Sequence, residues 1–177
     1  MASFQDRIIR AAKLDVHLYE EVEADQGAMG QAMGIVVLSS VAAGMASIGR
    51  VGVGGILVGT IAALFSWFIW AYLTYLIGTK LLPEPQTKAD VGELLRTIGF
   101  SSSPGLIRVL GIIPYVGGIV FWVASIWMLV AMVIAVRQAL DYQSTLRAVG
   151  VCAIGWVIQT LVLILLFTIL GGAPKPI

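Results

Sequence analysis

A chain of 177 residues that is 59% hydrophobic and only 12% charged falls outside the composition of soluble domains, in which about a quarter of the residues are charged. Its formal net charge of +1 gives no electrostatic basis for binding nucleic acid. With 1 cysteine and 1 histidine, it also lacks the residues for an intrachain disulfide, a cysteine or histidine metal site or a histidine-based catalytic group. We therefore expect residues 1–177 to form one all-α membrane domain, a helical bundle with no cofactor and no enzymatic activity.

The N-terminal segment is charged throughout and lacks the apolar core of a signal peptide. We expect it to stay in the cytoplasm, with the first apolar segment directing insertion. Within it, residues 3–24 place apolar side chains at helical spacing, which predicts an amphipathic helix. Two placements of this helix are open: in the lipid headgroup layer, or packed on the cytoplasmic face of the bundle. The acidic run at 20–25 is interpreted as a solvated surface rather than a metal site.

Two long apolar segments follow, at 28–48 and 53–77. The first has about 21 residues without a formal charge and rises roughly 30 Å as an α-helix, enough to cross the hydrocarbon core. Small residues recur four apart in both segments, and they predict close helix packing. This packing lies within the monomer or, alternatively, on a homodimer face. The glycines expected to take part are Gly30, Gly34, Gly44, Gly55 and Gly59.

Pro83 and Pro85 end the second span. Asp90 and Glu93 have the spacing of a capping box, which predicts the start of a short helix. Because this helix carries Arg96 on its side of the membrane, we expect it to lie on the cytoplasmic surface between the second and third spans.

The third apolar segment, 104–116, is short. As an α-helix of about 13 residues beginning at Ser103-Pro104, it would rise roughly 20 Å, about 10 Å less than the usual hydrocarbon core. We expect Pro114 to kink its end and Gly117-Gly118 to form the turn into the next helix. Arg108 lies near the start of this helix, from where its guanidinium can extend back to the cytoplasmic headgroups. Two further spans are predicted at 118–136 and 148–170.

The distribution of basic residues favours a crossing at 104–116. With five spans and a cytoplasmic N-terminus, all lysines and arginines except Arg50 and Lys175 lie on the cytoplasmic side. With four spans, Arg137 and Arg147 join Arg50 outside. We therefore predict five transmembrane helices, with the C-terminus on the side opposite the N-terminus.

Three arginines are candidates for contact with lipid headgroups or for ion pairs: Arg108, Arg137 and Arg147. For Arg108 the alternatives are an interfacial anchor and an ion pair with a lipid phosphate or an N-terminal carboxylate. Gln159 and Thr160 are interpreted as interhelical hydrogen-bonding groups. The centres of the predicted spans hold no aspartate or glutamate, which argues against a transporter that uses carboxylates as a proton relay.

Three segments carry a family resemblance: 18–32, 93–140 and 144–152. Their features are Gly99-Phe100 followed by Pro104, the Ile113-Pro114 pair, a span with Trp127 ending at Arg137, and Arg147-Ala148. This pattern resembles the bacterial branch of the Yip (Ypt-interacting protein) domain family. The resemblance implies a five-span α-helical protein of the bacterial inner membrane with a cytoplasmic N-terminus. Eukaryotic members resemble trafficking factors that bind Rab GTPases, but their Asp-Leu-Tyr-Gly-Pro-type motif is replaced here by Leu18-Tyr19-Glu20-Glu21.

Two functions fit these features. The first is a non-enzymatic scaffold or accessory subunit, with membrane lipids and a protein partner or a second copy of the chain as its contacts. The alternative is a membrane protein that translocates lipids or solutes, with Arg108 touching headgroups.

Overall fold

The structure, a computed structural model, describes residues 2–170. This part of the chain is helical and contains no strand. Its seven α-helices are α1 (Phe4–Ala12), α2 (Val16–Ala24), α3 (Met29–Ala46), α4 (Ile48–Leu76), α5 (Val91–Phe100), α6 (Gly117–Ala139) and α7 (Thr145–Leu170). Two 3₁₀ helices, Gln26–Ala28 and Ser103–Ile112, and a π-helical turn, Ile77–Leu81, complete it.

Four of the described segments are long and apolar enough to cross a membrane: Gln26–Ala46, Ile48–Leu81, Gly117–Ala139 and Thr145–Val162. They correspond to the four longer spans expected from the sequence. The segment around 104–116 does not reach this length as a continuous helix.

The N-terminal segment forms two helices, so the prediction of one continuous helix over 3–24 is wrong. The backbone turns at Leu14, whose φ is 61°, a conformation that interrupts a right-handed helix. Asp15 then caps α2 by accepting a hydrogen bond from the backbone N–H of His17 at 3.0 Å. α2 buries Leu18 and Tyr19 completely. The segment is therefore packed on the other helices, as in the second of its two expected placements.

Helix α5 begins with the predicted capping box, in which Asp90 and Glu93 each accept a hydrogen bond from the other's backbone N–H. Its expected place on the surface is wrong, because all seven residues from Leu94 to Phe100 are buried. One side of α5 meets α4, where the indole of Trp67 donates to the carbonyl of Leu95 at 3.0 Å. The helix therefore enters the bundle instead of lying on it.

The segment after α5 is a 3₁₀ helix over Ser103–Ile112, not the expected α-helix over 104–116. A 3₁₀ helix rises about 2.0 Å per residue, so its 10 residues extend roughly 20 Å, the length expected of the longer α-helix. The turn that follows lies at 113–116, where Tyr115 has a φ of 69°. Gly117 and Gly118 are the first residues of α6 rather than that turn.

Glycines show the direction of this segment relative to α3. A Cβ on Gly99 would lie 2.7 Å from the Cβ of Ala32, and one on Gly111 would lie 2.9 Å from the Cβ of Ala46. Between them, Gly105 lies against Ser39. As the chain advances from Gly99 to Gly111, its contacts on α3 advance from residue 32 to residue 46, which is about 21 Å of helix. The segment therefore runs parallel to α3 over most of the length of that helix.

The two ends of the bundle hold different groups of elements. At one end, here called the base, the hydroxyl of Tyr142 donates to the carbonyls of Gly78 at 3.0 Å and Leu82 at 2.7 Å. These bonds place the C-terminal ends of α4 and α6 side by side. At the other end, here called the far end, the end of α3, the end of the 3₁₀ helix and the start of α6 meet around Gly111.

Candidate arginine site at the far end

Arg108 projects from the 3₁₀ helix towards α6. Its Nη2 donates to the hydroxyl of Ser125 at 3.1 Å, and its guanidinium carbon lies 5.1 Å from the centre of the Phe121 ring. Its Nε is buried and has no hydrogen-bond partner among the described residues. Ser125 lies about 12 Å along α6 from Gly117 and about 21 Å from Ala139. The guanidinium thus lies nearer the far end than the base, and its predicted extension to the cytoplasmic headgroups stays a prediction.

The 3₁₀ conformation explains how Arg108 reaches this position. A 3₁₀ helix has three residues per turn, so residues three apart lie on one face. Gly105, Arg108 and Gly111 therefore share a face. Gly105 contacts Ser39 of α3 and lies against the sulfur of Met128 of α6, with 2.8 Å between that sulfur and a Cβ placed on the glycine. The face is thus turned into the groove between α3 and α6, and Arg108 lies in this groove between two close backbone contacts.

A cavity of about 370 Å³ opens beside Arg108 at the far end. It is lined by the guanidinium-bearing side chains of both Arg50 and Arg108, by Ser47, and by the backbone of Gly117 at the start of α6. None of its lining residues is acidic. The lining residues are Ala43, Ala46, Ser47, Arg50, Arg108, Gly111, Gly117, Gly118, Phe121 and Trp122.

A second cavity of about 390 Å³ shares Arg108 and Trp122 with the first as lining residues. Its remaining lining is mostly apolar and comes from α6 and α7, including Leu129 and Trp156. Trp122 is 68% exposed and Trp156 is 59% exposed, so this cavity opens on the side of the bundle. The two cavities together have a cationic end and an apolar slot.

The other two predicted arginines lie at the base and contact the protein. Arg137 donates from Nε to the carbonyl of Tyr142 at 3.2 Å. Arg147 donates to the carbonyl of Pro83 at 2.8 Å, and its Nε lies 3.4 Å from a carboxylate oxygen of Glu84. These contacts tie the loop after α4 to the loop between α6 and α7.

The five predicted packing glycines differ in their surroundings. Gly44 packs against Ile56 of α4, where an added Cβ would lie 2.9 Å from the Ile56 side chain. Gly34 faces the ring of Phe4, and Gly55 faces Val51 of its own helix. Gly30 and Gly59 have no atom within 4 Å of an added Cβ. The five do not share one contact surface in the structure.

The N-terminal carboxylates bind arginines of α1. Arg7, which is buried, donates to Glu21 at 2.9 Å, to Asp25 at 2.8 Å and to the side chain of Gln31 at 3.0 Å. The hydrogen bond from Arg7 holds the pKa of Asp25 below its usual range. The expected alternative that pairs Arg108 with an N-terminal carboxylate is therefore wrong, since these carboxylates lie at the base with Arg7.

Sequence reasoning missed the role of Arg96, which it placed on a surface helix. Arg96 is buried and donates to the backbone carbonyls of Val22 and Glu23 at the end of α2. A cation at a helix C-terminus satisfies carbonyls that have no partner within the helix. The capping box predicted α5, but only the tertiary fold brings its second turn against the end of α2.

Sequence reasoning also missed Arg50 as a partner of Arg108. The sequence places Arg50 only among the basic residues outside the membrane, whereas in the structure both arginines line the same cavity. The spacing Gly105-x-x-Arg108-x-x-Gly111 places these three residues on one face once the segment is a 3₁₀ helix, but it carries no signal for Arg50.

The described residues contain no group of three or more His, Cys, Asp or Glu side chains that could hold a metal ion. His17 is exposed and lies in α2, where its Nδ1 is 3.4 Å from a carboxylate oxygen of Glu20. Cys152 is a buried free thiol in α7. Gln159 lines a cavity of about 300 Å³ together with Arg108 and serines of α3.

Comparison with known proteins identifies one family. The Yip1 domain matches residues 18–167, which is most of the chain. Neither the curated proteins nor the solved structures gave a match.

Proposed function

Since the chain belongs to the Yip1 domain family, we propose that it is a non-enzymatic scaffold or accessory subunit that holds a partner helix within the membrane. The partner helix belongs to another membrane protein or to a second copy of this chain. The observation that carries this proposal is the exposed apolar side of the first half of α4.

The buried residues of helix α4 all lie in its second half, and its first half meets α3 along one side only, at Ile56 and Thr60. Its buried residues are Trp67, Trp70, Ala71 and Thr74, and only 17% of its most apolar window is buried. The first half leaves Val53 and Val58 each 68% exposed, and around them Gly54 and Gly59 have open space beside them. Small residues on a lipid-facing helix allow another helix to approach closely, which is how helices associate in a bilayer.

The experiment that tests this role is crosslinking in the native membrane followed by purification in mild detergent. We expect a stoichiometric partner or a dimer to be recovered with the wild-type chain. Gly54→Leu and Gly59→Leu fill the open space on α4 and should abolish that recovery without changing the thermal stability of the chain. Gly30→Leu, at an equally open glycine of α3, serves as the matched control and should leave it intact.

A chain recovered as an uncrosslinked monomer would contradict the proposal. So would an equal loss of the partner in Gly30→Leu, because the effect would then not depend on the α4 surface. The mass of the crosslinked species distinguishes a second copy of the chain from a different protein.

The proposed topology has five crossings, the third made by α5 and the 3₁₀ helix together. Two observations support it. The contacts from Gly99 to Gly111 advance along α3 in the direction of that helix. In addition, α4 and α6 both end at the base, so a segment between them has to return the chain to the far end before α6 begins.

The proposed orientation places the base in the cytoplasm of a bacterial cell and the far end outside the inner membrane. It is supported by the basic residues that the elements of the base carry, because positive charge collects in cytoplasmic segments. These residues are Arg7, Lys80, Lys88, Arg96, Arg137 and Arg147, whereas Arg50 lies at the far end.

A further inference from the structure

We propose that the far-end cavity binds the phosphate of an anionic phospholipid, with an acyl chain of the same lipid in the adjoining slot between α6 and α7. The proposal is independent of the scaffold role, since it concerns a different surface of the bundle. It rests on the charges that line the cavity, the unsatisfied Nε of Arg108 and the two residues, Arg108 and Trp122, that line both cavities.

The cavity carries an excess of positive charge. Arg50 and Arg108 both line it, no acidic residue does, and neither arginine forms an ion pair with a described residue. An arginine within a membrane domain is unfavourable unless an anion or a set of acceptors compensates its charge. Two guanidinium groups around one cavity with no carboxylate indicate that an anion supplies this compensation.

Arg108 has unused hydrogen-bonding capacity. Arginine has five N–H donors, and the described residues accept one hydrogen bond from Arg108, at Ser125. Phosphate oxygens suit the remaining donors, because arginine binds phosphate through two parallel hydrogen bonds. The first turn of α6 adds to the positive potential in the cavity. Its backbone N–H groups have no side-chain cap, and Gly117 and Gly118 line the cavity.

The adjoining slot favours a lipid over a soluble anion. It begins at Arg108 and Trp122 and continues past Ile126 and Leu129 towards Trp156. Trp122, Ile126 and Trp156 are each more than half exposed, so a chain in the slot would cover apolar side chains of the bundle. A molecule that fills both cavities has an anionic group at one end and a hydrocarbon chain at the other.

The experiment compares anionic and zwitterionic lipids in nanodiscs that contain the full chain. Brominated acyl chains quench nearby tryptophans, so either phosphatidylglycerol or phosphatidylcholine carries bromine in otherwise identical bilayers. The ratio of the two quenching curves gives the preference for the anionic lipid at the slot. Trp122→Phe with Trp156→Phe should remove this preferential component, because these are the tryptophans that line the slot.

We expect the wild-type chain to prefer the anionic lipid, and each of Arg50→Gln and Arg108→Gln to lower the preference about five-fold, the effect expected for one basic residue near an anionic headgroup. Lys80→Gln removes one exposed positive charge at the base and should leave the preference unchanged. Arg108→Lys keeps the charge but loses the paired donors, so it should retain part of the preference.

Three results would overturn the proposal. One is an equal quenching by both lipids in the wild-type chain. Another is a loss in Lys80→Gln as large as in Arg50→Gln, which would indicate general surface charge. The third is loss of the preference on adding inorganic phosphate but not chloride at the same ionic strength, which would indicate a site for a soluble anion. If Arg108→Gln does not fold, Arg50→Gln and Arg108→Lys still decide, since Arg50 is exposed and the lysine keeps the charge.

Discussion

At the scale of single residues, arginines stabilise the base by binding carboxylates and backbone carbonyl groups. Arg7 binds carboxylates that follow it in the chain, and Arg96 binds the carbonyls at the end of α2. Arg147 binds the carboxylate of Glu84, which itself accepts hydrogen bonds from the backbone N–H groups of Gln143 and Ser144 just before α7. Each of these arginines has its charge compensated within the protein, which sets them apart from Arg108.

Glu23, at the base of the bundle, makes the stability of the folded chain depend on pH. Burial raises the pKa of its carboxyl from 4.5 to about 7, and the charges of Asp141, Glu93 and Glu20 act in the same direction while Arg96 opposes them. In the folded chain this group therefore keeps its proton up to about pH 7, whereas in the unfolded chain it loses it near pH 4.5. Its contribution to stability is present below pH 4.5 and is lost as the pH rises through about 7.

We expect the free energy of unfolding of the wild-type chain to fall between pH 5 and pH 8, and this fall to be smaller in Glu23→Gln. Thermal unfolding in detergent at a series of pH values measures both. Asp6→Asn, at an exposed carboxyl of α1, is the control and should keep the wild-type dependence. An identical pH dependence in Glu23→Gln and in the wild-type chain would show that the carboxyl is ionised in the fold at neutral pH.

At the scale of elements, sequence patterns predicted what depends on local chemistry and missed what depends on neighbours. The four long helices followed from apolar length, and the start of α5 followed from Asp90 and Glu93. The break at Leu14 did not, because leucine with a positive φ leaves no signal in the sequence. The burial of α5 did not follow from the sequence either. An arginine at this position is typical of a surface helix, and its partner, the carbonyl of Val22 at the end of α2, is distant in the sequence.

The 3₁₀ helix illustrates the same limit. Its composition suits an α-helix, and helix type depends here on how closely Gly105 and Gly111 approach α3 and α6. The same dependence on neighbouring helices explains why the sequence predicted only one of the two arginines of the candidate site. Arg108 stands out as a charge in an apolar segment, whereas its pairing with Arg50 depends on the kink near the start of α4, where Gly52 has a φ of 61°.

The close approach at Gly105 predicts a specific mutational effect. A Cβ there overlaps the Ser39 hydroxyl and lies 2.8 Å from the sulfur of Met128, so Gly105→Ala should destabilise the chain by about 1–3 kcal/mol, as overpacking does. Ser39→Gly removes the overlapping side chain and should recover part of this loss in the double variant. Unfolding by denaturant in detergent measures the free energies.

Gly54→Ala is the matched control for this cycle, because nothing lies within 4 Å of a Cβ at Gly54. It should be neutral or slightly stabilising, since alanine has the higher helix propensity. Additive effects of Gly105→Ala and Ser39→Gly would show that the two residues are not in contact, and would contradict the parallel packing of the 3₁₀ helix on α3.

At the scale of the whole molecule, the four long helices and the segment from α5 to Ile112 make one consistent arrangement only if that segment returns the chain to the far end. From Gly99 to Gly111 the segment advances about 21 Å along α3, and α5 precedes this part of the path. Much of this segment is buried between other helices, so its break after Phe100 lies against protein. Irregular backbone at membrane depth is tolerated where protein covers it.

This arrangement predicts opposite accessibility for two loops. Tyr115 is fully exposed in the turn before α6, and Gln143 is exposed in the loop before α7. With five crossings and a cytoplasmic N-terminus, Tyr115→Cys lies outside and Gln143→Cys lies inside. With four crossings the two positions exchange sides. A membrane-impermeant maleimide applied to right-side-out vesicles therefore separates the alternatives, with detergent permeabilisation revealing the inner position.

We expect Tyr115→Cys to be labelled before permeabilisation and Gln143→Cys only after it. Gly49→Cys, at the exposed start of α4, lies outside in both topologies and controls for access of the reagent. The native Cys152 is only 5% exposed, so the unmodified chain gives a low background. Labelling of Gln143→Cys alone before permeabilisation would show that residues 91–112 turn back, and labelling of both positions would show that α6 does not cross the membrane.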